Sequence, residues 1–185
     1  MYHTSWAARK VKEINPDVHV DISSSLFFCG IVSAFQKVDF YDYRPAHLGL
    51  DNLTSREGDL LNLPFESGSV ASVSCMHVVE HVGLGRYGDN LDFNGDLKAI
   101  DELKRIVCRG GNLIFVVPIG HERICFNAHR VYDHKTVLDL FDEFELHEFQ
   151  LIETDKFGGG MIENPSSELL DRQTYGCGLY WFKKC

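Results

Sequence analysis

The spacing of apolar and polar residues predicts alternating helices and strands from the start of the chain. Apolar residues over 5–14 recur at helical intervals, with Pro16 after them, and predict a short amphipathic helix. The segments 18–23 and 37–45 predict two strands. Between these strands, the apolar run at 23–35 begins with hydroxyl residues suited to an N-cap, which predicts a helix.

The same alternation continues through the middle of the chain. A short strand is predicted within 51–65, and a β-branched strand over 66–79. From Asn94, apolar residues at steps of three and four predict a helix that ends at a Gly110-Gly111 cap. The all-apolar run 112–120 is typical of a strand that is buried on both faces of a parallel sheet.

A helix over 134–141 and strands over 144–154 and 178–184 complete the predicted elements. The alternation indicates an α/β fold, a Rossmann-like, doubly wound and mostly parallel sheet in one domain over 1–185. Only a loop rich in Gly, Pro and Ser, 157–176, joins the last two strands. We therefore expect the final strand to run antiparallel to the others.

Composition narrows the range of partners. The chain has 185 residues, 44% hydrophobic and 24% charged, and its mean hydropathy of -0.14 argues against an integral membrane protein. The net charge is -9, and the 18 Lys and Arg residues are scattered along the chain. Because an acidic surface repels phosphate groups, we expect neither nucleic acid nor a membrane as a partner.

Cysteine usage and the N-terminal segment bear on the compartment. The six cysteines include no CxxC pair, and four of them lie in or beside apolar runs, which is typical of free thiols in a reducing compartment. The segment MYHTSWAARKVKEINPD lacks the continuous apolar stretch of a signal peptide. These features predict a cytoplasmic protein.

The predicted sheet also indicates where a ligand binds. Sheets of this type bind ligands beyond the carboxyl ends of their strands, usually over the first strand-to-helix turn. Here that turn begins at Asp21, and Asp42 follows at about the spacing of an acidic residue that binds ribose hydroxyls. The glycines of the GxGxxG motif, which let backbone amides approach a pyrophosphate, are missing, so NAD and FAD are poor candidates. S-adenosylmethionine carries no phosphate, so the turn has to hold only its amino acid end and its ribose.

Two segments resemble the class I S-adenosylmethionine-dependent methyltransferases. GDLLNLPF, at 58–65, is similar to the adenine-binding turn of that family, and SCMHVVEHV, at 74–82, is similar to its fourth strand and the loop after it. The run HVVEHVGLGRYGD, with GGNLIFVVPIG and FNAHRVYD further on, is closer to a subgroup of small, uncharacterised methyltransferase-like proteins. The resemblance extends over about 18–150 and is specific within 58–134.

The resemblance implies a methyltransferase fold, S-adenosylmethionine as cofactor and a small-molecule or carbohydrate acceptor. Carried over to this chain, it assigns Asp42 to the ribose, Asp59 and the backbone of Leu60 to the adenine, and Met76 and His77 to the methionine part. Asp21 heads the first motif. Ser23 and Ser25 stand where methyltransferases usually have glycine, which leaves open a degenerate member that serves as a non-catalytic binding module.

The residues His77, Glu80 and His81 also match the HxxEH pattern of inverted zinc proteases. That pattern needs a helix, whereas the preceding run is strand-like and glycines follow at once, so a zinc hydrolase is the weaker alternative and we predict no metal site. An uncharged imidazole can instead remove a proton from a nucleophile, which makes His81 the candidate general base.

Candidate substrate contacts lie further along the predicted ligand edge. Arg86, His129 and Arg130 are the candidates, because arginine can hold an anionic or hydroxyl-rich group. The glycine- and aspartate-rich segment 83–96 is interpreted either as a lid above the site or as an ordinary long connection.

Overall fold

A central sheet organises the part of the chain that the computed structural model describes, residues 1–154 and 160–185. The helices are α1 (Tyr2–Ile14), α2 (Leu26–Ser33), α3 (Gly95–Ile106), α4 (His134–Leu140) and α5 (Ser167–Asp171). The strands are β1 (His19–Ile22), β2 (Val38–Asp42), β3 (Leu53–Glu57), β4 (Val70–Met76), β5 (Val107–Ile119), β6 (Arg123–Cys125), β7 (His129–Val131), β8 (Phe144–Ile152), β9 (Ile162–Glu163) and β10 (Gly176–Lys184). A 3₁₀ turn spans Val79–His81.

The topology confirms the predicted α/β class. The sheet order is β3-β2-β1-β4-β5-β10-β8-β9, and β1 to β5 pair in parallel. The last strand, β10, is inserted antiparallel between β5 and β8, as expected from the loop that precedes it. The first residues of that loop, 157–159, lie outside the described residues.

Element boundaries differ from the prediction where glycine was taken for a helix cap. Helix α3 ends at Ile106, and Val107 already has extended backbone angles and pairs with Val70 of β4. Gly110, with φ of +75°, therefore lies within β5, near the irregular register between β4 and β5, rather than at a helix end. The hairpin of β6 and β7 and the two-residue β9 are too short to produce a periodic pattern.

Two hydrophobic layers cover the two faces of the sheet. Successive residues of β5 alternate between them, so that Leu113 and Phe115 pack with α3 and α4, whereas Ile114 and Val116 pack with α1 and α2. Full burial of such a side chain stabilises a fold by about 1.5–3 kcal/mol. Within the described ranges, the helices are too short or too polar to cross a bilayer.

Candidate active site

A cavity of about 620 Å³ opens at the carboxyl ends of the parallel strands. It lies where β1 is flanked by β2 on one side and β4 on the other, and this reversal of strand order is the position at which open α/β sheets bind ligands. The residues that line it are Ser23, Asp42, Tyr43, Arg44, Gly58, Asp59, Leu60, Leu61, His77, Val78, His81, Val82, Gly83, Tyr87, Gly88, Asp89, Asn90 and Asp92.

The first turn, between β1 and α2, is built from three serines with different roles. Ser23 has φ of +53°, in the region that favours glycine, and its Oγ donates to the carbonyl oxygen of Tyr41 at 3.3 Å. Ser24 Oγ accepts from the backbone N–H of Met76 at 3.0 Å, and Ser25 caps α2. Of the three, only Ser23 lines the cavity, and its hydroxyl is held against β2 rather than across the opening.

A buried polar network, formed by His19, Asp21, Ser72 and Ser74, supports this turn. The two ring nitrogens of His19 lie 2.8 Å from Ser72 Oγ and 2.9 Å from Ser74 Oγ. Ser74 Oγ also contacts Asp21 Oδ2, and Asp21 Oδ1 accepts from the backbone N–H of Ser24 at 3.0 Å. Burial lowers the pKa of His19 to about 3 and, against these hydrogen bonds, raises the pKa of Asp21 to about 6. Asp21 is fully buried, so its carboxylate holds the turn and does not reach the cavity.

Two further carboxylates, Asp42 at the end of β2 and Asp59 after β3, do line the cavity. Each uses Oδ1 to accept one backbone N–H, from Arg44 at 2.7 Å and from Leu61 at 2.9 Å respectively, in turns that aspartate favours. In residues 1–154 and 160–185, neither Oδ2 has a hydrogen-bond partner. Both oxygens can therefore accept from a ligand. Leu60, directly after Asp59, also lines the cavity, with 7% of its surface exposed.

His77 is the first residue after β4 and has φ of +58°. Its Nδ1 lies 3.0 Å from Oε1 of Glu80, which is 1% exposed, and its Nε2 lies 3.4 Å from Cys177 Sγ. Burial alone would lower the pKa of His77, but the hydrogen bonds to Cys177 and Glu80 outweigh it and raise this pKa to about 10. Glu80 Oε2 is buried and has no hydrogen-bond partner among the described residues.

His81, at the end of the 3₁₀ turn, has one ring nitrogen fixed and one open. Nδ1 lies 2.6 Å from the carbonyl oxygen of Ala128. Because a carbonyl can only accept, Nδ1 carries the proton and Nε2 of the neutral ring keeps its lone pair. Nε2 lies 3.9 Å from Glu80 Oε1. The ring thus lines the cavity with one nitrogen that can accept a proton.

Solved structures with low sequence identity share this architecture. A chain of the complex between the Haloferax volcanii Trm112 methyltransferase activator and a methyltransferase is 19% identical, with a TM-score of 0.65, and the match covers 99% of this chain and 89% of that chain. The N-methyltransferase NodS from Bradyrhizobium japonicum WM9, solved with S-adenosyl-L-homocysteine, is 13% identical, with a TM-score of 0.64 and coverage of 98% and 87%. The fold is that of the class I S-adenosylmethionine-dependent methyltransferases.

The methyltransferase fold alone does not decide the reaction. The [4+2]-cyclase SpnF has the same fold, at 10% identity, a TM-score of 0.63 and coverage of 96% of this chain and 80% of that chain. The family model described as Caenorhabditis protein of unknown function, DUF268, matches residues 66–156, just under half of the chain. No curated protein matches the sequence. The activity therefore depends on the residues of the site.

The loop 82–92 forms one wall of the cavity and is held in shape by contacts between its own residues. Gly83 has φ of +81°, and a Cβ there would lie 2.1 Å from the carbonyl oxygen of Asp92, so the close approach requires glycine. The Asp89 carboxylate accepts from the backbone N–H groups of Gly83, Gly85 and Tyr87 at 2.8–3.2 Å. Burial would raise the pKa of Asp89, but these hydrogen bonds lower it.

The predicted substrate residues His129 and Arg86 lie beside the cavity without lining it. His129, on β7, packs its ring edge-on against His81 at 6.4 Å, and burial together with His81 lowers the pKa of His129. Arg86 is exposed on the loop, and its guanidinium lies 5.8 Å from the centre of the Tyr87 ring, which does line the cavity. Either side chain is near the opening.

Arg130, the third predicted substrate residue, is engaged within the protein. It is 5% exposed, and its Nε lies 3.3 Å from Asp96 Oδ1. Its other nitrogens donate to the carbonyl oxygens of Val82 at 2.6 Å and Phe93 at 3.0 Å. The guanidinium therefore fastens both ends of the 82–92 loop, and these contacts occupy it in place of a substrate.

Most of the predicted cofactor residues converge on the one cavity: Ser23, Asp42, Asp59, Leu60 and His77, together with His81. Asp21, Ser25 and Met76 lie outside its wall and hold the turn or the core. The HxxEH pattern is not arranged as in a zinc protease, because the 3₁₀ turn begins at Val79, after His77.

Sequence reasoning passed over several residues of the cavity wall. Tyr43 and Arg44 immediately follow Asp42, and Asn90 lies in the 82–92 loop. Their only signal was proximity in sequence to a residue or loop already singled out. Loop side chains follow no periodic pattern that would reveal which of them face a ligand.

Proposed function

We propose that this protein is an S-adenosylmethionine-dependent methyltransferase that acts on a small-molecule or carbohydrate acceptor, within one domain over 1–185. The observation that carries the proposal is that Asp42 and Asp59 each present an open Oδ2 in one cavity at the reversal of strand order. A cofactor with a ribose diol and an amino-substituted ring satisfies both oxygens.

The cavity fits this cofactor in size and chemistry. Its volume of about 620 Å³ is in the range of small-molecule sites. Asp42 would accept from the ribose hydroxyls, Asp59 from the adenine amino group, and Leu60 would pack beside the adenine. The methionine part would follow Ser23 and His77. Ser23 does not obstruct it, because its hydroxyl is bonded to Tyr41.

In the proposed reaction, S-adenosylmethionine supplies a methyl group on a sulfonium, which an oxygen or nitrogen nucleophile attacks in line. The protein would contribute orientation and proton removal. His81 Nε2 would take the proton of the acceptor, since Nδ1 is committed to Ala128. The Glu80 carboxylate, which also contacts His77, lies 3.9 Å from Nε2 and would face the imidazolium that results.

The preference for a small or carbohydrate acceptor rests on charge and shape. The net charge of -9 and the acidic cavity wall disfavour a nucleic-acid substrate. The 82–92 loop offers Tyr87 and Asn90 to the cavity, and an aromatic ring with polar neighbours suits a hydroxylated molecule. We place the activity in the cytoplasm, because all six cysteines are free.

Calorimetric titration with S-adenosylmethionine, S-adenosylhomocysteine and NAD tests the proposal. Saturable binding of the first two at one site per chain, without binding of NAD, is expected. Release of S-adenosylhomocysteine is then followed against a panel of sugars, hydroxy acids and small amines. If neither adenosyl compound binds, the proposal fails.

A non-catalytic binding module is the second candidate, and one observation favours it. Ser23 holds the left-handed conformation that methyltransferases usually assign to glycine, which costs a non-glycine residue roughly 1 kcal/mol or more. Saturable binding of S-adenosylhomocysteine with no turnover of any acceptor in the panel would support the module over the enzyme.

A further inference from the structure

Two histidines and a cysteine from distant parts of the sequence meet at the carboxyl edge of the sheet. His3 lies in the first turn of α1, His77 follows β4, and Cys177 lies near the start of β10. One ligand atom from each, a ring nitrogen or the sulfur, lies within 4.8 Å of the other two. All three residues are half-buried, so their donors are sheltered but accessible to an ion.

The separations suit a tetrahedral ion. His77 Nε2 and Cys177 Sγ are 3.4 Å apart. Two such ligands of one zinc ion, at about 2.0–2.1 Å for nitrogen and 2.3 Å for sulfur, are separated by roughly 3.5 Å. The rings of His3 and His77 meet edge-on, with centroids 4.9 Å apart, and the three ligand atoms lie within 4.8 Å of one another.

The surroundings of His77 supply the outer partner that metal-binding histidines require. Nδ1 of His77 contacts Glu80 Oε1 at 3.0 Å, and Glu80 is 1% exposed. A buried carboxylate on one ring nitrogen orients the other toward the ion and increases its basicity. The same carboxylate favours positive charge at Nε2, whether a proton or a metal.

His3 is also prepared to act as a ligand. The His3 ring lies beside that of His77, and a neutral imidazole offers an ion one ring nitrogen with a lone pair. When an ion binds, the Nε2 proton of His77 and the thiol proton of Cys177 both pass to solvent, and metal–nitrogen and metal–sulfur bonds replace the N–H and S–H bonds. The ion then occupies the position of the proton between His77 and Cys177.

We propose that His3, His77 and Cys177 bind a divalent transition metal ion of the zinc class. Two imidazoles and one thiolate are borderline-soft donors, which favour zinc over magnesium or calcium. With three protein ligands, a fourth position remains for water or another small donor. The site would join α1 to β4 and β10 next to the cavity, since His77 belongs to both. This inference goes beyond methyl transfer and does not depend on it.

Zinc titration of the reduced protein, purified with a cleavable C-terminal tag that binds no metal, tests the site. The protein is stripped with a chelator and titrated with zinc in competition with a chromogenic chelator. We expect one ion per chain, and a loss of affinity of roughly 100-fold or more in His3→Ala and in Cys177→Ser. Cobalt in place of zinc should give a thiolate charge-transfer band that Cys177→Ser abolishes.

Matched variants distinguish this site from adventitious metal. Cys125→Ser removes another half-buried cysteine, and His47→Ala removes an exposed histidine, and both should bind zinc as the unmodified protein does. Circular dichroism checks that each variant is folded, and His3→Ala alters only the first turn of α1. Absence of stoichiometric zinc, or equal affinity in all variants, would overturn the proposal. Titration of the zinc-free protein with S-adenosylhomocysteine tests the proposed function separately.

Discussion

The buried polar network around His19 and the histidines of the cavity wall contain similar groups. They differ in whether the polar atoms of those groups have hydrogen-bond partners within the protein. In the network, both nitrogens of His19 and both oxygens of Asp21 have partners within the protein. Within the described part of the chain, Nε2 of His81 at the cavity and Oε2 of the neighbouring Glu80 have no hydrogen-bond partner. Each region combines histidine with a buried carboxylate, and only the second leaves atoms available.

This difference separates a structural role from a chemical one. A buried polar group with every hydrogen bond made contributes to stability, whereas an open donor or acceptor costs free energy unless a ligand satisfies it. We therefore expect substitutions in the network to change the free energy of unfolding, and substitutions at the cavity wall to change binding or turnover.

The largest effect is expected for His81→Ala. Removal of a general base typically reduces turnover by about 100-fold to 10⁴-fold. Affinity for S-adenosylhomocysteine should change little, because the ring would contact the acceptor rather than the cofactor. The rate of S-adenosylhomocysteine release and calorimetric affinity measure the two quantities.

His47→Ala is the matched control for this substitution, since His47 is exposed and does not line the cavity. Its turnover should equal that of the unmodified protein. Unchanged turnover in His81→Ala as well would eliminate His81 as the base.

The second prediction concerns the network. Ser74→Ala should lower the free energy of unfolding by about 2 kcal/mol, because it leaves Asp21 Oδ2 and one nitrogen of His19 without a partner. Urea denaturation measures this change. Affinity for S-adenosylhomocysteine, measured where the variant is folded, should stay close to that of the unmodified protein.

Ser55→Ala provides the comparison. Its Oγ is buried and has no hydrogen-bond partner among the described residues, so its removal should cost at most about 0.5 kcal/mol or stabilise the fold slightly. Equal destabilisation by the two alanine substitutions would contradict the role given to the network.

The third prediction tests the open carboxylate. Asp42→Asn keeps Oδ1, which accepts from Arg44, and replaces only the free oxygen. Loss of one hydrogen bond to a charged group should weaken S-adenosylhomocysteine binding by about tenfold, with little change in the free energy of unfolding. Asp39→Asn, on the same strand but outside the cavity wall, should leave the affinity unchanged. An equal loss in both variants would remove Asp42 from the ribose site.

The sequence predicted the long elements of the fold because the spacing of their apolar residues reflects which faces are buried. The apolar steps of α3 and the all-apolar run of β5 each bury one or both faces, and they leave a pattern that can be counted. The end of α3 escaped prediction, since pairing of Val107 with β4 ends the helix before Gly110.

The candidate site was harder to predict from the sequence, because tertiary contacts decide whether a polar atom is free to contact a ligand. Asp21 and Asp42 look alike in sequence, each closing a strand before a turn, yet one is fully engaged and the other keeps an open oxygen. His3, His77 and Cys177 share no local pattern and are brought together only by the fold. Sequence motifs with short, fixed spacing detect neither the difference between these two aspartates nor the cluster of two histidines and a cysteine.

The smallest effect, and the one most specific to the network, is a pH dependence from Asp21. Burial raises its folded-state pKa from the ordinary 3.8 to about 6, so the folded state retains a proton that the unfolded state has lost. The stabilisation is therefore present at low pH and is lost as the pH rises through about 6. Asp21→Asn cannot titrate, and His19 is common to both proteins. Between pH 7 and pH 5, the unmodified protein should gain about 1 kcal/mol of unfolding free energy relative to Asp21→Asn. A difference between the two denaturation curves that stays constant over this range would mean that Asp21 is not the buried, proton-retaining carboxyl described above.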